Sequence, residues 1–168
     1  MGTSHPESRP WTVEKINMSG AKTILDVGAG SGTYSEALSS AGISVEIDAI
    51  EVWKPYIEEF DLVNKYNNVY EVDVRDHDNF KYDLVIFGDI LEHMSEDQAL
   101  AVWDKVSKQA KYAVIAIPII HYHQPAMNGN PYEEHITEDW TLEKVVSTFS
   151  NITDSWTGNI VGAFWAEF

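Results

Sequence analysis

Three groups of residues in this chain have the types and spacing that chemistry needs. The first is Asp26-Val27-Gly28-Ala29-Gly30-Ser31-Gly32-Thr33, an acid followed by glycines at every second position. Without a Cβ in the way, main-chain N–H groups of such a loop can come close to a ligand. The second is Asp89-Ile90-Leu91-Glu92-His93, whose carboxylates and imidazole fall at i, i+3 and i+4 and share a face if the turn is helical. The third holds His121, His123, Tyr132, Glu133, Glu134 and His135. Imidazoles titrate near neutral pH, so a cluster of them suits proton transfer. Tyr122 and Tyr132 are candidates to line a pocket there, whereas Glu133 and Glu134 read first as solvent-facing charge.

Each group follows an apolar run that reads as a strand. The first strand spans 23–27, and a second, Ser44 to Glu51, ends in a carboxylate roughly 20 residues past the glycines. At that distance an acid can accept hydrogen bonds from both hydroxyls of a ribose. Val69 to Val74, Tyr82 to Asp89 and Ala113 to Pro118 read as further strands. Helices are predicted over Ser31 to Ser40, from Pro55 with Tyr56, Phe60 and Val63 facing the sheet, and from Glu138 to Thr148 with Thr137 as cap. Ser95-Glu96-Asp97-Gln98 is a capping box ahead of a stripe of Leu100, Trp103 and Val106. Residues 152–156 and 160–167 alternate around Gly158-Asn159 as a hairpin would. Residues 1–10 read as an extended arm and 11–18 as a short helix, and there is no room for a full helix between Asp73 and Tyr82.

The glycine spacing discriminates between cofactors. A dinucleotide fingerprint is G-x-G-x-x-G, and Thr33 stands where it needs the third glycine. D-x-G-x-G-x-G resembles instead motif I of the class I S-adenosylmethionine-dependent methyltransferases, and the resemblance runs in order over residues 25–120. It implies a Rossmann-like α/β fold: a seven-stranded, mostly parallel sheet with the last strand antiparallel and helices on both faces. It also implies S-adenosyl-L-methionine as cofactor, held by Asp26, Gly28, Gly30, Gly32, Glu51, Val52, Asp73, Val74 and Asp89. In the family the first acid helps to hold the methionine ammonium, the position of Asp73 receives the adenine amino group, and the next N–H meets the ring. Trp53 beside the ribose acid reads as core rather than as an adenine contact. Asp89 to His93 resembles the E-x-x-E-H motif of metal-dependent relatives that methylate small-RNA ends, with aspartate in place of the first glutamate.

Composition narrows the partners. The 168 residues fit one domain, an arm over 1–20 and a core over 21–168. A formal charge of −16, with only 11 lysines and arginines, disfavours nucleic acid, whose phosphates call for a basic patch. The absence of cysteine removes disulfides, thiol catalysis and cysteine-ligated zinc. No apolar run approaches the ~20 residues of a membrane span and no signal peptide is visible, so a cytoplasmic setting is expected.

The expected activity is methyl transfer from S-adenosylmethionine to the oxygen or nitrogen of a small-molecule acceptor. A histidine of the 121–135 loop (His121, His123 or His135) would act as base, with Asp89 completing the catalytic set and no metal required. In the alternative, Asp89, Glu92 and His93 hold Mg²⁺ or Mn²⁺, with His121 or His123 arriving from the next loop. A catalytically inactive cofactor-binding subunit or sensor is the competing function. A nicotinamide dehydrogenase fails at Thr33 and at the Asp89 to His93 segment.

Overall fold

A computed structural model describes residues 5–168. Seven strands form one sheet: β1 (Thr23–Val27), β2 (Glu46–Ile50), β3 (Val69–Tyr70), β4 (Leu84–Gly88), β5 (Tyr112–Pro118), β6 (Ile152–Thr157) and β7 (Val161–Glu167). Their order is β3-β2-β1-β4-β5-β7-β6. The first five run parallel, and β7 pairs antiparallel with both β5 and β6. Every residue of β4 is buried, as a central strand covered on both faces requires.

Helices α1 (Arg9–Ser19) and α2 (Thr33–Ser40) place Ile16, Tyr34 and Leu38 against Ile24, Leu84 and Ile86. On the opposite face, α4 (Glu96–Ser107) and α5 (Leu142–Thr148) pack Ala99, Val102, Trp103, Val106 and Val145 on Leu25, Val85 and Phe87. A shorter helix, α3 (Lys54–Glu59), follows β2. The chain leaves β1 toward β2 and β3, then returns to β4 on the other side of β1. At this reversal the helices that follow β1 and β4 lie on opposite faces of the sheet, which is where open α/β sheets form their ligand crevice.

Several boundaries differ from the sequence reading, each for a local reason. The third strand is only Val69–Tyr70, because Asp73 caps a 3-10 turn over Val74–Asp76. Helix α3 stops at Glu59 and Asp61 takes a left-handed φ of 51°, which shifts the phase. Leu62 and Tyr66 are therefore buried while Val63 is exposed. In α4 the buried stripe runs through Ala99, Val102, Trp103 and Val106, and Leu100 faces outward. Thr141, not Thr137, caps α5, since the Thr137 hydroxyl is bonded to the Met94 carbonyl. The arm is not extended throughout: Pro6–Ser8 form a 3-10 turn and α1 begins at Arg9, while residues 1–4 lie outside the described residues.

Candidate active site

A cavity of about 300 Å³ opens at the carboxyl ends of β1, β2 and β4. One end is built from the glycine loop. Gly28 (φ 68°) and Ala29 donate their N–H groups to the Ile50 carbonyl at 2.8 and 3.1 Å. A Cβ on Gly28 would overlap the Ile90 side chain, so glycine is required there for space as well as for its φ. Glu51 accepts the Gly30 N–H at 2.9 Å on one oxygen and the Trp53 N–H at 2.8 Å on the other. Burial raises its pKa, and those two N–H bonds oppose the rise. Val52, Val72 and Val74 add apolar lining.

Two residues assigned to the cofactor do not reach this cavity. Asp26 alternates with Leu25 and Val27 and so points to the other face of the sheet, where the Tyr66 hydroxyl donates to it at 2.6 Å. Burial pushes its pKa up to about 7 against that hydrogen bond. Gly32 (φ 82°) is the cap of α2, and a Cβ there would stand 2.7 Å from the Lys65 Cδ. Lys65 needs the approach, because its Nζ donates to the Ser31 carbonyl at 2.8 Å and pairs with Glu36 at 2.6 Å. Both residues thus brace the loop from behind. Asp73 does line the cavity, but both its oxygens accept from Arg75, which holds its pKa low.

The other end is built after β4. Asp89 takes a left-handed φ of 54° directly past the strand, a conformation that aspartate tolerates better than most residues. Its N–H donates to the Ala116 carbonyl at 2.8 Å, and one carboxylate oxygen accepts the His5 N–H at 2.5 Å. The other oxygen has no partner among the described residues, nor has either carboxylate oxygen of Glu92. Burial drives the Asp89 pKa to about 7. Glu92 is only 1% exposed and is raised well above the usual carboxylate range, first by burial and then by the Asp89 charge.

His93 and His135 face this carboxylate. Ligand atoms of Glu92, His93 and His135 lie within 4.8 Å of one another. Nδ1 of His93 lies 3.0 Å from the Glu134 carbonyl and Nδ1 of His135 lies 2.8 Å from the Tyr122 carbonyl. That engagement leaves Nε2 as the nitrogen each ring has to offer, the orientation typical of a metal-ligating histidine. Burial lowers both pKa values, which keeps the rings neutral as ligands must be. Two imidazoles and an unpartnered buried carboxylate fit a divalent cation.

His121 and His123 are not brought to this group. Their side chains are 63% and 67% exposed and pair with Asp139 at 2.7 Å and Glu138 at 2.6 Å. Neither lines the cavity, although Tyr122 between them and Gln124 after them do. His135 alone of the loop histidines lines it. Sequence reasoning read residues 1–10 as an arm and Tyr56 as facing the sheet, and singled out neither His5 and Pro6, which join the wall where the His5 N–H meets Asp89 84 positions along the chain, nor Asn130.

No family model matches the chain, and no curated protein matches it. Many solved structures do. A methyltransferase of Clostridium acetobutylicum ATCC 824 that depends on S-adenosylmethionine superposes with a TM-score of 0.73 at 14% identity, covering 98% of this chain and 92% of that one. The methyltransferase domain of bacterial CtHen1-CN gives 0.73 at 16% identity, with 99% and 100% covered. The N-terminal domain of EvdMO1, solved with S-adenosylhomocysteine bound, gives 0.67 at 13% identity, with 98% and 82% covered. The fold is that of the class I S-adenosylmethionine-dependent methyltransferases. Against two O-methyltransferase chains it also matches, this chain spans only about half their length, 55% and 54%. Among the described residues no helix is long and apolar enough to cross a membrane.

Proposed function

We propose that this chain transfers a methyl group from S-adenosylmethionine to a hydroxyl of a small-molecule acceptor, with a divalent cation held by Glu92, His93 and His135. The observation that carries the reading is the buried Glu92 carboxylate, unpartnered and facing two oriented imidazoles inside the cavity that the glycine loop also lines. A buried charge without a partner is costly, and a cation removes the cost. The fold, and S-adenosylhomocysteine in a structure of the same fold, support the donor.

In this reading Gly28 and Gly30 let the main chain approach the donor, and Glu51 retains lone pairs for the ribose hydroxyls beyond its two N–H bonds. Val52 and Val74 enclose the adenine side, with Asp73 fixed by Arg75 at its edge. Asp26 and Gly32 act through Tyr66 and Lys65, by holding the loop. Glu92, His93 and His135 would hold the cation, which would supply Lewis acidity to ease loss of the acceptor hydroxyl proton to solvent without a dedicated protein base. His93 and His135, fixed through Nδ1, present Nε2. The acidic surface supports a small acceptor over a polyphosphate chain.

Calorimetric titration of the EDTA-treated protein tests the proposal. S-adenosylhomocysteine is expected to bind at micromolar affinity, about −8 kcal/mol, and Mn²⁺ to bind at one site. Heat from NAD with none from S-adenosylhomocysteine overturns the donor, and the absence of Mn²⁺ binding overturns the cation.

A further inference from the structure

The segment before α1 is fastened at two points. The Glu7 carboxylate accepts three consecutive N–H groups at the β6–β7 turn, those of Asn159, Ile160 and Val161, at 2.7, 3.0 and 3.2 Å. Gly158 is packed so closely against this carboxylate that a Cβ would overlap it. Two residues earlier, the His5 N–H is bonded to the Asp89 carboxylate at 2.5 Å. His5 and Pro6 form a wall of the cavity together with Ile160 and Val161. Asp89 lies three positions before Glu92, yet it is tied to this segment and stands outside the group of Glu92, His93 and His135.

We propose that His5–Ser8 is a removable strap that competes with the divalent cation for Asp89. With the strap closed, the cation has three protein ligands. Neither Asp89 oxygen belongs to the ligand group of Glu92, His93 and His135, so a cation that recruits this carboxylate as a fourth ligand draws it toward Glu92 and stretches the His5 N–H bond to its other oxygen, which loosens the wall beside the cavity. Cation loading and access to the cavity are then linked, and the linkage is reciprocal: whatever opens the strap tightens the cation. The inference rests on the cation reading above and adds the strap to it.

The test uses the full chain, with Mn²⁺ as probe and two readouts. In calorimetry, Glu7→Ala is expected to bind Mn²⁺ about tenfold tighter than the wild type, the factor by which a mostly closed strap weakens apparent affinity. In hydrogen–deuterium exchange of the wild-type protein, the amides of His5, Glu7 and Ser8 are expected to exchange faster with Mn²⁺ than without it. Asp89→Asn is expected to abolish that response, so the proposal stays testable even where Glu7→Ala folds poorly. Equal Mn²⁺ affinity in wild type and Glu7→Ala, or exchange at 5–8 indifferent to bound Mn²⁺, overturns the strap and leaves the cation reading standing. No Mn²⁺ binding to either protein overturns both.

Discussion

Glu51 and Glu92 stand at the two ends of one cavity, each a buried glutamate just past a parallel strand, at 5% and 1% exposure. Glu51 has both oxygens engaged by main-chain N–H groups, and Glu92 has neither oxygen engaged. The same side chain at nearly the same depth is therefore a finished part of the framework at one end and a carboxyl group without a hydrogen-bond partner at the other. Burial alone does not distinguish a structural acid from one that awaits a ligand; the partner count does. Neighbours deepen the contrast. Asp89 adds a second carboxylate beside Glu92, while Gly30 and Trp53 supply donors to Glu51.

The largest effect should come from removing the unpartnered end. Glu92→Gln is expected to weaken Mn²⁺ binding by more than about 100-fold in calorimetry, beyond the loss typical of a residue that merely supports a ligand. Wild-type Mn²⁺ affinity in that variant would erase the distinction between the two glutamates.

A pH series on the EDTA-treated protein sharpens it next. Asp89 and Asp26 sit at about 7 and Glu92 is raised well above its usual range, so all three folded values exceed their unfolded ones near ~4. Raised acids contribute stability that is complete below the unfolded pKa and lost as pH climbs through the folded one. Asp83, held down to about 2 by Lys111, is ionised throughout and adds no slope there. The melting temperature of the stripped protein should fall by about 5–10 °C from pH 5 to pH 8, and Mn²⁺ should restore the part due to Asp89 and Glu92 but not that of Asp26. A flat profile would mean that these acids are not buried as charges.

At the finished end, Glu51→Ala should weaken S-adenosylhomocysteine binding by about 1.5–3 kcal/mol, the value of hydrogen bonds to a charged group. An unchanged dissociation constant would make Glu51 a brace of the glycine loop alone. The smallest effect is reserved for the exposed pair: His121→Ala with His123→Ala should alter Mn²⁺ affinity less than about threefold, as rim charges in water do, whereas His135→Ala should weaken it severely. Similar losses in both would return the loop histidines to the cavity.

Features with a local cause were legible from residue order. The apolar run into Asp26 and the alternate glycines announced β1 and its loop, and Ser95 to Gln98 announced the start of α4, because caps and tight turns depend on residues a few positions apart. Asp89, Glu92 and His93 stood out by spacing alone. The helix faces were less secure: Leu100 and Val63 sit one position from the buried residues, and a single left-handed residue such as Asp61 changes the phase.

By itself, then, the order of residues determined the strand-and-loop framework, the glycine loop and the chemical types gathered after β4. Tertiary structure decided which of three loop histidines enters the cavity, and it chose His135 because the Tyr122 carbonyl orients that ring while Glu138 and Asp139 hold the others outside. It also turned Asp26 away toward Tyr66 and brought His5 onto Asp89. These outcomes share a physical reason. Each depends on a hydrogen-bond partner between 13 and 84 residues distant along the chain, and only the packed sheet brings such partners within reach.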